Sequence, residues 1–217
     1  MPLTDEVRLF SDLAITDANR AAINAIRRPE AWPNNAMCLI GPPRCGLGVI
    51  ARLWAEEVGA VELSATEFDK MSLNAVEQAA GKNCVLDLAG AAKNEENFLT
   101  LLNRSGENDG RLLLTARAGP ATWRCESADL KSRFDAIPVA EIYPPDEEML
   151  KLRLLASCKR RFVLLNEATV NFLVVRLPRS YEAIESYVAH LDMAIEATTR
   201  APSINLAREV LENWEST

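Results

Sequence analysis

The sequence predicts an α/β fold: a parallel sheet between layers of helices, followed by a small all-helical segment. Two observations carry that reading. Short, uninterrupted apolar runs alternate with stretches of helical periodicity, as buried parallel strands and their crossover helices do. Beyond Pro144-Pro145 the apolar runs stop and only helical patterns continue.

The elements follow in order along the chain. A helix over Asp17 to Arg28 is opened by Thr16 or Asp17 and stopped by Pro29. Ala36 to Ile40 reads as a buried strand, and a glycine-bounded loop, Gly41 to Gly46, follows it. Val49 to Val58 has helical spacing and ends at Gly59, a residue suited to a helix C-terminus. A second strand is expected over Ala60 to Leu63. The Ser64 and Glu67 pair after it has the spacing of a capping box for the next helix. Ser72 to Ala80 reads as helix, Cys84 to Leu88 as strand, Asn94 to Arg104 as helix and Arg111 to Thr115 as strand. Ser127 to Phe134 forms a short helix before the final strand, Pro138 to Ile142. The helical segment then comprises Asp146 to Arg160, Asn166 to Leu177, Arg179 to Thr198 and Ile204 to Trp214. Residues 1–143 are therefore expected to form the α/β core and residues 144–217 the helical lid.

Composition narrows the function classes. At 217 residues and 48% hydrophobic content, the chain can bury one sizeable core with a small appendage. No apolar run approaches the length of a membrane span, and the start Met1-Pro2-Leu3-Thr4-Asp5 lacks a secretory layout, which places the protein in the cytoplasm. A net charge of −7 speaks against broad binding to nucleic acid. The short basic run Lys159-Arg160-Arg161 reads as a solvated helix end. Five scattered cysteines without a CxxC pair fit reduced thiols, and the single His190 reads as a packed or surface side chain. No metal is expected.

The chemistry concentrates in the loop after the first strand. A strand, a glycine-bounded turn and a helix form the context in which backbone N–H groups cradle phosphates. In the pattern G-x-x-x-x-G-K-[ST], the lysine reaches the β- and γ-phosphates and the hydroxyl holds Mg²⁺. Gly41 and Gly46 keep the spacing, but Leu47 stands in the lysine position and Gly48 in the hydroxyl position. Losing two contacts of roughly 1.5–3 kcal/mol each weakens nucleotide binding by about two to four decades. Arg44 offers a positive charge from another position in the loop; the plain alternative for the whole segment is a structural turn. Asp87 ends its apolar strand as a Walker-B aspartate does, yet its neighbour is Leu88 rather than a second polar group. Hydrolysis is not expected.

Four further segments carry a resemblance. They are Ile15 to Asn19 with Ala31-Trp32-Pro33, then Leu112 to Pro120, Asp129 to Phe134, and Arg176 to Ser180. Together with the loop, from about residue 10 onward, they resemble AAA+ proteins related to the replication initiator DnaA, and most closely the Hda type of DnaA regulator. The resemblance implies a three-layer P-loop NTPase core with a helical lid. It implies an arginine finger at Arg133, which in the family acts on nucleotide held by the neighbouring subunit, and a sensor-2 arginine at Arg179. Arginine suits both roles because its planar fork is permanently charged. The plain alternatives are a salt-bridged surface residue for Arg133 and a helix-start residue paired with Glu182 for Arg179.

The expected vestigial nucleotide site is thus Gly41, Arg44, Gly46, Leu47, Gly48, Asp87 and Arg179, and the expected partner contact is Arg133. The expected partner is DnaA or another AAA+ protein. No cofactor is expected, although the loop leaves room for residual ADP or ATP binding. Nothing in Met1 to Phe10 matches the clamp-binding motif of Hda-type proteins, so the sliding clamp is not an expected partner. With the sequence ending at Trp214-Glu215-Ser216-Thr217, the initiators' C-terminal helix-turn-helix domain is not expected, nor is direct DNA contact, in agreement with the acidic charge. An intact AAA+ interface would permit self-association.

Overall fold

The computed structural model describes residues 9–107 and 110–215. The α/β part comprises α1 (Arg20–Ile26), β1 (Ala36–Ile40), α2 (Leu47–Val58), β2 (Val61–Ser64), α3 (Ala65–Lys70) and α4 (Leu73–Ala80). It continues with β3 (Cys84–Asp87), α5 (Glu95–Glu107), β4 (Leu112–Ala116), α6 (Ala128–Ala136) and β5 (Val139–Glu141). The strands form one parallel sheet in the order β2-β3-β4-β1-β5. Helices α7 (Glu147–Arg160), α8 (Glu167–Val174), α9 (Tyr181–Thr198) and α10 (Ile204–Glu215) follow.

The two-residue period of a strand sends alternate side chains to opposite faces, and here both faces are buried. Met37, Leu39, Val85 and Leu113 pack in one core with α1 and α2. Their neighbours Ala36, Cys38, Cys84, Leu86, Leu112 and Leu114 join the other core, with Phe68, Val76, Phe98 and Phe134 from α3 to α6. This explains why the strands read as unbroken apolar runs. A third core, including Leu154, Leu173, Tyr187 and Leu206, closes the C-terminal helices on one another.

The capping box indicated by the spacing of Ser64 and Glu67 is present. Ser64 Oγ accepts from Glu67 N at 3.3 Å while Glu67 returns a bond to Ser64 N at 2.9 Å. Ser127, Asp146, Asn166 and Ser180 each accept a first-turn N–H at the start of α6, α7, α8 and α9.

Several expected boundaries move. The first helix starts at Arg20 rather than Asp17, because Thr16 N donates to Asn19 Oδ1 at 3.0 Å and closes a turn ahead of it. It ends at Ile26, since the residue before Pro29 is kept out of helical conformation. Helix α8 ends at Val174 instead of Leu177, three residues short, and Pro178 follows the turn. Because Ser180 caps α9, Arg179 lies outside that helix instead of beginning it. The basic run is also not simply solvated: Arg160 pairs with Glu185 at 2.5 Å, and Arg161 lies 3.9 Å from Asp192. His190 is exposed, with Nδ1 2.8 Å from Ser186 O.

Candidate functional site

The loop between β1 and α2 has the path of a phosphate cradle. Gly46 caps α2 at φ +107°, a conformation open to glycine and strained for other residues. Arg44 also has positive φ, +61°, and its side chain is exposed. Gly41 is enclosed: a Cβ there would lie 2.7 Å from Cys45 Sγ and 3.1 Å from Ile142 Cβ.

The loop's side chains divide between core and solvent. Leu47 is only 6% exposed and belongs to the apolar core that includes Cys45, Ile142, Met149 and Tyr181. Gly48 is exposed, with open space where a hydroxyl-bearing side chain would stand. Cys45 is buried beside the helix N-terminus, where the Leu47 N–H reaches its sulfur. Burial pushes the Cys45 thiol up, and the Leu47 N–H with the charges of Arg117 and Arg153 pulls it only partly back.

Two arginines that sequence reasoning missed close over this loop. Arg117, following β4, donates from Nη1 to Pro42 O at 3.0 Å. Arg153, on α7, donates from Nη2 to Arg44 O at 3.0 Å, and its guanidinium lies 5.5 Å from the Tyr181 ring centroid. The loop's carbonyls are thus held directly by an arginine of the C-terminal helices. More contacts lie nearby. Asp146 accepts from Ala18 N at 3.0 Å and from Met149 N at 2.7 Å, and Tyr181 OH donates to Tyr143 O at 3.2 Å. Burial works to raise the Asp146 carboxyl. The bonds from Thr16, Met149 and Ala18, with the charge of Arg179, outweigh it and hold the group below its ordinary range.

Asp87 ends β3, and the Thr115 hydroxyl of neighbouring β4 donates to its Oδ1. That hydroxyl also accepts the Leu88 N–H at 2.9 Å, and Thr115 is fully buried. Thr115 was not singled out from sequence. The signal was present: a hydroxyl at the end of an otherwise aliphatic strand.

Arg133 stands apart from the loop, on α6, with its guanidinium 3.3 Å from Asp129 and a side chain 38% exposed. Among the described residues no group of three or more potential metal ligands converges, and no helix is long and apolar enough to cross a membrane.

This sheet order, with a cradle loop after β1 and helices after β5, is the AAA+ fold. Domain III of the Thermotoga maritima replication initiation protein DnaA superposes with a TM-score of 0.75 at 16% identity, covering 96% of this chain and 97% of that one. A replication initiator DnaA bound to AMPPCP and single-stranded DNA gives 0.70 at 15% identity, covering 90% and 69%. The Thermotoga maritima RuvB Holliday junction branch migration motor gives 0.67 at 14%, covering 95% and 72%. No protein-family model matches the chain. By sequence it is similar to the chromosomal replication initiator DnaA of Helicobacter pylori, 24% identical over 128 residues, 59% of this chain and 28% of that protein. The Campylobacter jejuni DnaA is 23% identical over 121 residues, 56% of this chain and 28% of that protein. The match thus spans little more than a quarter of the curated relatives. The chain thus has the AAA+ fold and is similar in sequence, over part of its length, to the replication initiator DnaA.

Proposed function

We propose that this protein is a non-hydrolysing, Hda-like regulator of chromosomal replication initiation that acts by contact with the AAA+ region of DnaA. The observation that carries the reading is Leu47. An AAA+ fold related to an ATP-binding initiator places a buried leucine in the core where ATP chemistry needs a lysine pointed at phosphate.

The rest of the loop supports it. Gly48 supplies no hydroxyl for Mg²⁺, and Leu88 supplies no second polar group beside Asp87. Arg117 and Arg153 bond the loop's own carbonyls. On this reading residues 1–143 are the core and residues 144–217 the lid. Direct contacts from Arg153 and Tyr181 hold the two together. The charge of Arg179 favours the ionised Asp146.

Arg133 supplies the partner contact. Among the described residues its tie is an ion pair one helical turn away, of the kind worth about 0.3–0.5 kcal/mol, so its release to a partner's phosphate costs little. The net charge of −7 favours a protein partner over DNA, and the surfaces of an AAA+ fold allow self-association. Residues 1–8 of the stretch in which no clamp motif is recognised lie outside the described residues. The cytoplasm, where DnaA works, is the compartment this function requires.

The test is association of the purified chain with the AAA+ domain of DnaA in its ATP form, measured by cross-linking and calorimetry. Wild type is expected to bind at micromolar concentration and Arg133→Ala to bind more weakly. Failure of both to associate overturns the reading. A second reading, residual ADP or ATP binding, draws on the preserved turn at Gly46 and the N-terminus of α2. Micromolar affinity for either nucleotide would favour it.

A further inference from the structure

A cavity of about 630 Å³ lies away from the phosphate loop, between the segment that follows β3 and the one that follows β4. Its size falls in the range of roughly 300–1,000 Å³ typical of ligand sites, and the ends of parallel strands are where α/β sheets place them. Phe98 and Phe134 are buried at its base and Trp123 forms part of its wall. The rings meet edge to face: Phe98 and Phe134 at 5.2 Å and 88°, Trp123 and Phe134 at 5.0 Å and 76°.

The walls are set in advance. The Glu95 carboxylate accepts the N–H groups of Glu126 and Ser127 at 2.6 and 3.0 Å. Asp69 accepts those of Lys93 and Asn94 at 2.8 and 2.9 Å, and the Trp123 indole donates to Ala118 O at 3.0 Å. Glu95 keeps its negative charge while bound to two amides, and Lys93 and Arg124 are the two cations of the lining, which leaves it a net charge of about +1. Both cations are exposed, and neither side chain pairs with another described residue.

We propose that this cavity is a docking site for a short acidic peptide segment of a partner protein. One large apolar side chain of the segment packs against the half-buried Trp123 ring, and a neighbouring carboxylate reaches Lys93 and Arg124. The two exposed cations outweigh the single Glu95 carboxylate, so the lining favours an anion. The geometry favours a peptide over a nucleic acid strand. Bases need open ring faces on which to stack, whereas Phe98 and Phe134 are buried and meet their neighbours edge to face. Two cations in a chain of net charge −7 also make a poor track for a phosphate backbone.

The proposal is independent of the DnaA reading and is tested on the isolated chain by amide NMR. The probe is the end-blocked peptide Asp-Leu-Phe-Glu, with Lys-Leu-Phe-Lys and a short oligothymidylate as comparisons. Saturable shifts are expected at Ala91 to Lys93, Thr122 to Ser127 and the Trp123 indole, below about 1 mM acidic peptide. Arg124→Glu and Lys93→Glu, with well-dispersed spectra showing them folded, should each weaken binding on the order of tenfold. The basic peptide should leave these signals unmoved. Absence of saturable shifts, equal binding of the basic peptide, unchanged affinity in both variants, or tighter binding of the oligothymidylate through the same residues would each overturn the proposal.

Discussion

Replacing Leu47 first with alanine and then with lysine tells a core side chain apart from a phosphate ligand. Leu47 is 6% exposed and part of the core that includes Cys45, Ile142, Met149 and Tyr181. Leu47→Ala removes three carbons at ~0.8 kcal/mol each in transfer energy. The residual cavity adds to that, for a total of about 2–4 kcal/mol. At about 2–4 °C per kcal/mol for a chain of this size, the melting temperature should fall by roughly 5–15 °C. Leu47→Lys forfeits the same apolar contacts and adds an ammonium that must either lose water or leave the core, so it should cost at least as much. A loop whose seventh position faced phosphate would behave in the opposite way. Urea and thermal unfolding of both variants, with and without Mg-ATP, provide the assay. The reasoning is refuted if Leu47→Lys matches wild type within about 0.5 kcal/mol, the ordinary range for a surface substitution, or if it gains a melting increase from Mg-ATP.

The remaining expectations concern the joint and the strand ends. With both Arg117 and Arg153 changed to alanine, the loop loses its side-chain hold on Pro42 and Arg44, and thiol reagent should label Cys45 on the order of tenfold faster, the equivalent of about 1.4 kcal/mol in opening. An unchanged rate would show that the arginines do not hold the loop. Because the Asp146 carboxyl is held below its ordinary value of 3.8, its contribution is fully present above that value and is lost as pH falls through the lowered folded value. Asp146→Asn should therefore lower the urea midpoint at neutral pH, with the gap to wild type closing as the medium is acidified below 3.8; a gap independent of pH would contradict this. Thr115→Val strips the Asp87 carboxylate and the Leu88 N–H of a shared partner and should cost about 1–3 kcal/mol in urea unfolding. A value near zero would mean that water replaces the hydroxyl.

Much of the architecture was legible because local chemistry and tertiary context agree. Ala36 to Ile40 is strand in both readings, since a strand buried on both faces must be apolar throughout. Ser64 caps the helix it precedes, as its spacing to Glu67 indicates. The misplaced boundaries depend on bonds without a simple sequence pattern, such as Thr16 to Asn19. Leu47 and Gly48 at the seventh and eighth positions of the loop were also legible, being fixed positions in a pattern. The loop's arginine clasps were not. Arg153 meets Arg44 across 109 residues and Arg117 meets Pro42 across 75, contacts that exist only once the C-terminal helices and β4 have docked. The same holds for the Phe98–Trp123–Phe134 cavity, whose walls come from two separate crossover segments. The expected lone role of Asp87 gained a partner in Thr115 that no spacing rule supplies.

The central claim is that the Gly41 to Gly48 loop serves as a structural joint in this protein and no longer as an ATP site. Calorimetric titration of the purified chain with Mg-ATP and with ADP tests it most directly. The account predicts no saturable heat in the micromolar range with either nucleotide, in line with the loss of about two to four decades of affinity when both contacts are missing. Micromolar binding with unit stoichiometry would contradict it.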